Sequence, residues 1–567
     1  MPLAVDERRA ALCARIPQWQ PRCLHELLDD ATVEFGARDY VVTDAARFSY
    51  ADIARRSKAL AGGLRARGVT RGDHVAVIMA NYAEFVAVKY AVSRVGATCV
   101  PINFLNRRDE IGYVLSQSNA SILITMDSFR GLDYLAALND LAPGWASEGG
   151  GETFPKLRQV IVMPTGDAPA PDKAMTLAQL ENDHAPFDGI DDSDPQSVSD
   201  IIYTSGTTGS PKGVLMTHEM LLRAAFGSVY SRAFDDGWRV TFSLPMYHVY
   251  GYVEGMLTVP FVGGAIIPQL AFDPVATLDG IETHEADDIL LVPTMTVAIL
   301  DVLRKTPRSL PSLRAVISSG QRSPAGIWDE IDRLMAPDEV TTGYGMSELT
   351  ATMSMTRPED PKDRRSSTNG RMRDVGPAGD PDTGHLAELR ITDPESGKTQ
   401  PPGEVGEIMA RGLCVTAGYH DKPEETKAAF DADGWLHTGD LGKFDEDGYL
   451  HLVGRLKETY RCGGEQVMPT EIEDLLVTHP GVLQAHVVPV PDARMGEAGA
   501  AYVVLREGHD TAPDELTQMC KDRLARFKVP KYMLPIRAED LPVTPSGRAR
   551  KFLLSERAIR DLGLSDQ

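Results

Sequence analysis

Residues 204–213 read Thr204-Ser205-Gly206-Thr207-Thr208-Gly209-Ser210-Pro211-Lys212-Gly213 and directly follow the apolar-leaning run Ile201-Ile202-Tyr203. Small hydroxylated residues, glycines and one lysine make a loop that can bring backbone N–H groups, hydroxyls and a cation up to phosphate oxygens. The spacing is not that of a Walker A loop, because no Gly-Lys-Ser/Thr follows a glycine at the required distance. A Gly/Ser linker has a similar composition, so the reading depends on what accompanies the loop elsewhere in the chain.

At 567 residues the chain is too long for a single core, and at least two domains are expected. Its 43% hydrophobic and 25% charged residues are those of a globular protein. A formal net charge of −23 argues against a nucleic-acid partner or an anionic membrane surface, yet leaves room for a locally positive pocket. Cys13, Cys23, Cys99, Cys414, Cys462 and Cys520 are scattered without a C-x-x-C pair, as expected of reduced structural thiols in a cytoplasm. Residues 1–30 hold Asp6, Glu7, Arg8 and Arg9 and no long apolar run, so no signal peptide is expected. No stretch of about 18 apolar residues predicts a transmembrane helix.

Along the chain, helix and strand patterns alternate. Tyr50 to Ala66 reads as an amphipathic helix, His74 to Met79 as a buried strand, Ala83 to Val95 as a helix and Ala97 to Asn103 as a strand. Strand patterns resume at Val240–Leu244, Ala265–Pro268, Ile289–Pro293 and Ala315–Ser318. The fold class is therefore α/β, with parallel sheets covered by helices. Residues 143–200 read as surface insertions around a strand near Leu157–Met163, and Arg357 to Asp374 as a charged, mobile loop. From Gly384, short strands with Gly-rich turns predict an antiparallel β subdomain. Gly454-Arg455-Leu456-Lys457 marks the sharpest boundary, and about 110 residues with their own α/β pattern follow it.

Further motifs keep company with the loop, in order: Pro245-Met246-Tyr247-His248, Gly343-Tyr344-Gly345-Met346-Ser347-Glu348, Trp435-Leu436-His437-Thr438-Gly439-Asp440, then Cys462-Gly463-Gly464-Glu465 and Pro469-Thr470-Glu471-Ile472-Glu473. Taken singly each has a bland reading: Gly-Tyr-Gly is a turn, Asp440 a turn aspartate, Lys212 a solvated lysine. Taken in order, from about residue 25 to 555, they resemble the adenylate-forming superfamily of acyl-CoA synthetases, firefly luciferases and nonribosomal peptide adenylation domains.

That resemblance implies a large N-terminal domain (1–454) of helix-covered parallel sheets with a β subdomain, a hinge at 455–458 and a small mobile α+β domain (459–567). It implies that Thr204, Ser205, Gly206, Thr207, Thr208, Gly209 and Lys212 hold the β- and γ-phosphates of ATP. Gly343 and Tyr344 would frame the adenine, and Ser347, where the family more often has Thr, would bond the α-phosphate. Glu348 would ligate Mg²⁺, for which one carboxylate can suffice because the ion keeps waters. Asp440 would accept from both ribose hydroxyls, with Arg455 beside it. Tyr247 and His248 would line the mouth of the acyl pocket, His248 by contact and not as an acid or base. Lys457 falls on the hinge between adenylation and thiol transfer, and Gly463 and Gly464 would let the backbone approach the pantetheine of coenzyme A. Coenzyme A brings its own thiol, so Cys462 is not needed as a nucleophile.

Two departures stand out. Ser319-Gly320-Gln321-Arg322 places larger polar residues where the family has small ones lining the acyl site; Gln321 and Arg322 either narrow that pocket or meet a polar group on the acyl chain, and the alternative for Arg322 is to point to solvent. The C-terminal motif reads Pro545-Ser546-Gly547-Arg548-Ala549-Arg550-Lys551, with Arg548 where the family has a lysine that serves adenylation. A planar guanidinium does not place one compact ammonium between two reacting oxygens. Losing such a preorganised donor costs about 10²–10³ in rate. General preference for arginine (16 lysines against 42 arginines) and rescue by Lys551 are the alternatives.

The expectation is an acyl-CoA ligase that binds the AMP moiety of an acyl-adenylate, or ATP, and transfers a carboxylic-acid-derived acyl group to coenzyme A. Adenylation is expected to be impaired or absent, with Mg²⁺ required only if it is retained and a separate adenylating enzyme as one source of the acyl-adenylate. A complete ATP-dependent synthetase, a carrier-protein thiol as acceptor and a non-catalytic acyl-nucleotide-binding protein are the other readings.

Overall fold

Ser49 opens the first long helix by a reciprocal cap. Its hydroxyl accepts from Asp52 N at 3.1 Å while Asp52 Oδ2 accepts from Ser49 N at 3.1 Å. The helix runs Tyr50–Ala66, the span its pattern predicts, and stops before Gly68, whose φ of 75° is left-handed. The computed structural model of the protein describes residues 3–166, 170–190, 193–204, 210–320, 326–506, 508–543 and 549–564.

Among the described residues two seven-stranded sheets form the large part of the molecule. In one, Thr98–Ile102, His74–Ile78, Ile122–Met126 and Gln159–Met163 run parallel, and Val198–Thr204 joins Thr98–Ile102 in parallel. Every residue of Thr98–Ile102 and Ile122–Met126 is buried, as parallel strands covered on both faces require. In the other, Arg239–Phe242, Ala265–Pro268, Asp288–Leu291, Ala315–Ser318 and Glu339–Thr341 are parallel. The strand that feeds the 204–213 loop, Val198–Thr204, turns back antiparallel into Lys212–Thr217 at the sheet edge. A buried ion pair of Lys89 with Asp200, the ammonium 4.4 Å from the Tyr252 ring centroid, fastens that strand to helix Ala83–Arg94.

Two stretches differ from expectation. Within 143–200, Trp145 and Phe154 are buried, and a Cβ on Gly150 would lie 2.2 Å from the Phe154 carbonyl, so this part is packed and not a surface insertion, whereas residues 170–190 are mostly exposed or half-buried, as expected. The charged stretch 357–374 contains helix Lys362–Ser367 and strand Arg371–Met372. Arg364 pairs with Asp445 at 2.9 Å and with Asp447, and Arg371 with Asp360 at 3.0 Å, so its charges are spent on fixed partners.

The β subdomain is a four-stranded antiparallel sheet of Glu388–Thr392, Gly406–Arg411, Leu436–Phe444 and Leu450–Arg455. From Tyr460 onward a separate sheet forms around the long hairpin Val482–Asp492 and Gly496–Leu505. Its residues alternate between faces: Val487 and Val503 pack with Ile472, Leu476 and Leu516, while Val488 and Val504 pack with Leu554 and Ala558. Both cores draw on residues from 460 onward. No described helix is long and apolar enough to cross a membrane.

Candidate active site

Strand Val198–Thr204 places Thr204 opposite Lys212 across the hairpin, with Thr204 Oγ1 donating to the Lys212 carbonyl at 3.5 Å. Ser205, Gly206, Thr207, Thr208 and Gly209 lie outside the described residues. The Lys212 ammonium sits 4.6 Å from the centroid of the Tyr419 ring. The Tyr419 hydroxyl donates to Glu348 Oε1 at 3.0 Å, so the lysine of the first motif and the carboxylate of the second meet on one tyrosine.

Glu348 lies in the short turn Ser347–Leu349, which follows strand Gly343–Met346. That strand pairs with Ala351–Met355 so closely that a Cβ on Gly345 would lie 1.7 Å from the Ala351 carbonyl; only glycine fits there. Thr350 and Ala351, which close the hairpin, hold φ of 54° and 96°, backbone strain of the kind found at functional sites. Burial pushes the Glu348 carboxyl pKa up, and the Tyr419 hydrogen bond with the charges of Arg455 and Lys212 pulls against it. A buried, hard oxygen ligand near two cations fits a Mg²⁺ ion that takes one carboxylate from the protein and the rest of its shell from phosphate and water. Among the described residues no three His, Cys, Asp or Glu gather as an all-protein metal cage.

Tyr344, Asp440 and Arg455 form a second cluster. The Tyr344 hydroxyl donates to Asp440 Oδ2 at 3.0 Å, and Arg455 Nε lies 2.9 Å from Asp440 Oδ1. Asp440 and Arg455 face each other across strands Leu436–Phe444 and Leu450–Arg455, so their spacing is set by sheet register. Ser319 joins the end of strand Ala315–Ser318 to the same place, donating from its hydroxyl to the Gly343 carbonyl at 2.7 Å.

Tyr247 is buried with its ring 5.3 Å from Phe104, edge to face, and its hydroxyl has no partner among the described residues. Burial lowers the His248 pKa to about 4, and its Nδ1 accepts from Tyr250 N at 3.2 Å, which keeps the ring neutral. Gly320 has φ of 89°, and among the described residues a Cβ there would meet only Val292 Cγ1 at 3.5 Å. Gln321 and Arg322 lie outside the described residues.

Toward the C-terminus, Lys457 occupies a short turn, Leu456–Glu458. Gly463 and Gly464, with φ of 63° and 90°, form the two-residue loop joining strands Tyr460–Cys462 and Glu465–Val467. Two positive φ angles are what a tight hairpin of this kind demands, so both glycines have a local reason to be there. Cys462 is buried, which raises its thiol pKa and leaves it unsuited to attack. Arg548 lies outside the described residues. Lys551 does not: its ammonium lies 2.8 Å from both Glu458 and Glu473.

Lys212, Tyr344, Glu348, Asp440 and Arg455 thus gather into one region, whereas Lys457 and the Gly463-Gly464 turn belong to the segment beyond Arg455. Tyr419 stands outside the quoted motifs; Ser319, Glu458 and Glu473 lie within quoted stretches, but their contacts with Gly343 and Lys551 are made only by the folded chain, because each acts on a residue distant in sequence.

The AMP-binding enzyme family matches residues 28–420, and the AMP-binding enzyme C-terminal domain matches residues 471–548. A Bacillus subtilis protein named as an acyl-CoA synthetase, YngI, is 35% identical over 554 residues, covering 95% of this chain and 97% of that protein. The ATP-bound crystal structure of MatB from Rhodopseudomonas palustris superposes with a TM-score of 0.81 at 28% identity, covering 95% of this chain and 99% of that one. The o-succinylbenzoate CoA synthetase MenE from Bacillus subtilis, in complex with its acyl-adenylate intermediate, gives a TM-score of 0.77 at 25% identity, covering 94% and 98%. The chain belongs to the AMP-binding enzyme family, within the adenylate-forming superfamily.

Proposed function

We propose that this AMP-binding enzyme makes acyl-CoA from an acyl-adenylate and coenzyme A, with its own adenylation of the acid slowed by Arg548. It is a ligase that forms a carbon–sulfur bond. In the favoured half-reaction the coenzyme A sulfur attacks the acyl carbonyl carbon, the bond from that carbon to the AMP phosphate oxygen breaks, AMP leaves, and the thiol proton passes to solvent.

The observation that carries the slowed half-reaction is the state of Lys551. It is the nearest lysine to position 548, and it is held between Glu458 and Glu473 at 2.8 Å each, which argues against its standing in for the absent lysine. Thr204 through Gly209 and Lys212 would take the phosphates, Tyr344 the adenine, Ser347 the α-phosphate, and Asp440 with Arg455 the ribose. Glu348 would hold Mg²⁺, which when bound neutralises phosphate charge. Tyr247, the neutral His248, Gly320, Gln321 and Arg322 would shape the acyl pocket. Residues 1–454 and 459–567 would turn about 455–458, and the Gly463-Gly464 turn would face the active site for thiol transfer.

The complete synthetase is the second reading. It is favoured by retention of Lys212 and Glu348 on their shared tyrosine, an arrangement an enzyme fed only acyl-adenylate has no need of. For the same reason slow self-supply is preferred here to a separate adenylating partner. A paired assay discriminates: coenzyme A with acid, ATP and Mg²⁺ in one tube, and with synthetic acyl-AMP in another. Thioester made at least about tenfold faster from acyl-AMP supports slowed adenylation. Equal rates favour the complete synthetase, and no thioester from either points to a binding protein.

A further inference from the structure

We propose that Tyr419 is a positioning residue that keeps Lys212 and Glu348 apart and aimed, the ring carrying the ammonium and the hydroxyl carrying one carboxylate oxygen. The inference rests on reading Lys212 and Glu348 as phosphate and metal ligands. Tyr419 belongs to none of the motifs that mark the site, yet it contacts a side chain from each of two of them, at 4.6 Å to the Lys212 ammonium and 3.0 Å to Glu348 Oε1.

The backbone around it is built for that contact. Tyr419 bridges to Val214, His420 N donates to the Gly213 carbonyl at 2.8 Å, and Leu215 N donates to the Gly418 carbonyl at 3.1 Å, which binds the segment to the strand of Lys212. Thr416 N donates to the Glu348 carbonyl at 2.9 Å, which binds the same segment to the second motif. Gly418 has φ of 142°, and a Cβ there would lie 2.4 Å from Thr426 Cγ2, so glycine is needed for the segment to pass.

A lysine and a glutamate on facing walls of a small site are drawn into an ion pair, and an ion pair is a poor receiver of phosphate and metal. Among the described residues Lys212 and Glu348 each contact Tyr419 and form no ion pair with each other, although the lysine charge still acts on the carboxyl. An aromatic face holds an ammonium without neutralising it, and a phenol occupies one carboxylate oxygen while leaving the other for a metal.

The test is equilibrium ATP binding by calorimetry on the full chain, with Mg²⁺ or with EDTA, for Tyr419→Phe, Tyr419→Leu and Lys212→Ala. Tyr419→Phe keeps the ring and loses the hydroxyl; it should weaken ATP binding about tenfold with Mg²⁺ and leave binding in EDTA unchanged. Tyr419→Leu loses both and should weaken binding in both arms, by about threefold or more in EDTA. In a Glu348→Gln background, Tyr419→Phe should add no further loss. Equal weakening by Tyr419→Phe in both arms, or wild-type binding by both Tyr419 variants, overturns the role of Tyr419. Wild-type ATP affinity in Lys212→Ala instead overturns the reading of the site on which it rests.

Discussion

The Lys551 ammonium lies 2.8 Å from the carboxylate of Glu458, the last residue of the turn Leu456–Glu458. Glu473, from helix Pro469–Val477, closes the other side at 2.8 Å. Burial opposes the charge on Lys551, but Glu473 and Glu458 more than offset it, and its pKa is raised. The helix Lys551–Asp561, the turn Leu456–Glu458 and helix Pro469–Val477 are therefore tied by one cation.

Replacing Lys551 by Gln leaves two carboxylates facing each other in a largely enclosed place. We expect a stability loss of about 1–3 kcal/mol, seen as a lower midpoint in thermal or urea unfolding. Pyrophosphate release and consumption of synthetic acyl-AMP should fall together, if they fall at all. Selective loss of pyrophosphate release would instead identify Lys551 as the working lysine of adenylation.

The Tyr344 hydroxyl holds Asp440 by a hydrogen bond to a charged acceptor. Tyr344→Phe keeps the ring and removes that bond, and AMP affinity should weaken about 10-fold, since bonds to charged groups are worth roughly 1.5–3 kcal/mol. Titration of AMP by calorimetry reads this directly. Unchanged affinity would detach Asp440 from ribose recognition.

His218 and His25 make stability depend on pH. Burial, with the charges of His25 and Lys89, lowers the His218 pKa to about 3; burial, with Arg94, lowers that of His25 to about 4. In the unfolded chain both take protons near pH 6.5, so between there and pH 5 the unfolded state binds more protons and stability falls as pH drops. The loss is up to about 2 kcal/mol for each histidine by pH 5. Melting temperatures at pH 7 and pH 5 should differ accordingly, and His218→Asn should flatten the slope.

Much of this fold is legible in the sequence because its central strands are buried on both faces and so appear as unbroken apolar runs. The limits of Ala265–Pro268 and Ala315–Ser318 follow from their patterns, while the predicted Val240–Leu244 is displaced to Arg239–Phe242, because Leu244 is as apolar as the strand before it. The reading of 357–374 as mobile failed for a definite reason: the partners of Arg364, Asp445 and Asp447, lie in a turn some eighty positions away, and charge alone does not reveal pairing. The motif residues Lys212, Tyr344, Glu348, Asp440 and Arg455 were nameable because the chemistry they resemble recurs as local strings. Tyr419 is not, and the bond that Ser319 makes to Gly343 is not, since each is a contact that only the folded chain creates.

Arg548→Lys offers the most direct measurement. With a good acid substrate, ATP and Mg²⁺, the variant should release pyrophosphate about 10²–10³ times faster than the natural chain, while thioester formation from synthetic acyl-AMP and coenzyme A stays within about twofold. Equal pyrophosphate release by both proteins would contradict slowed adenylation and make this enzyme a complete acyl-CoA synthetase that works with arginine.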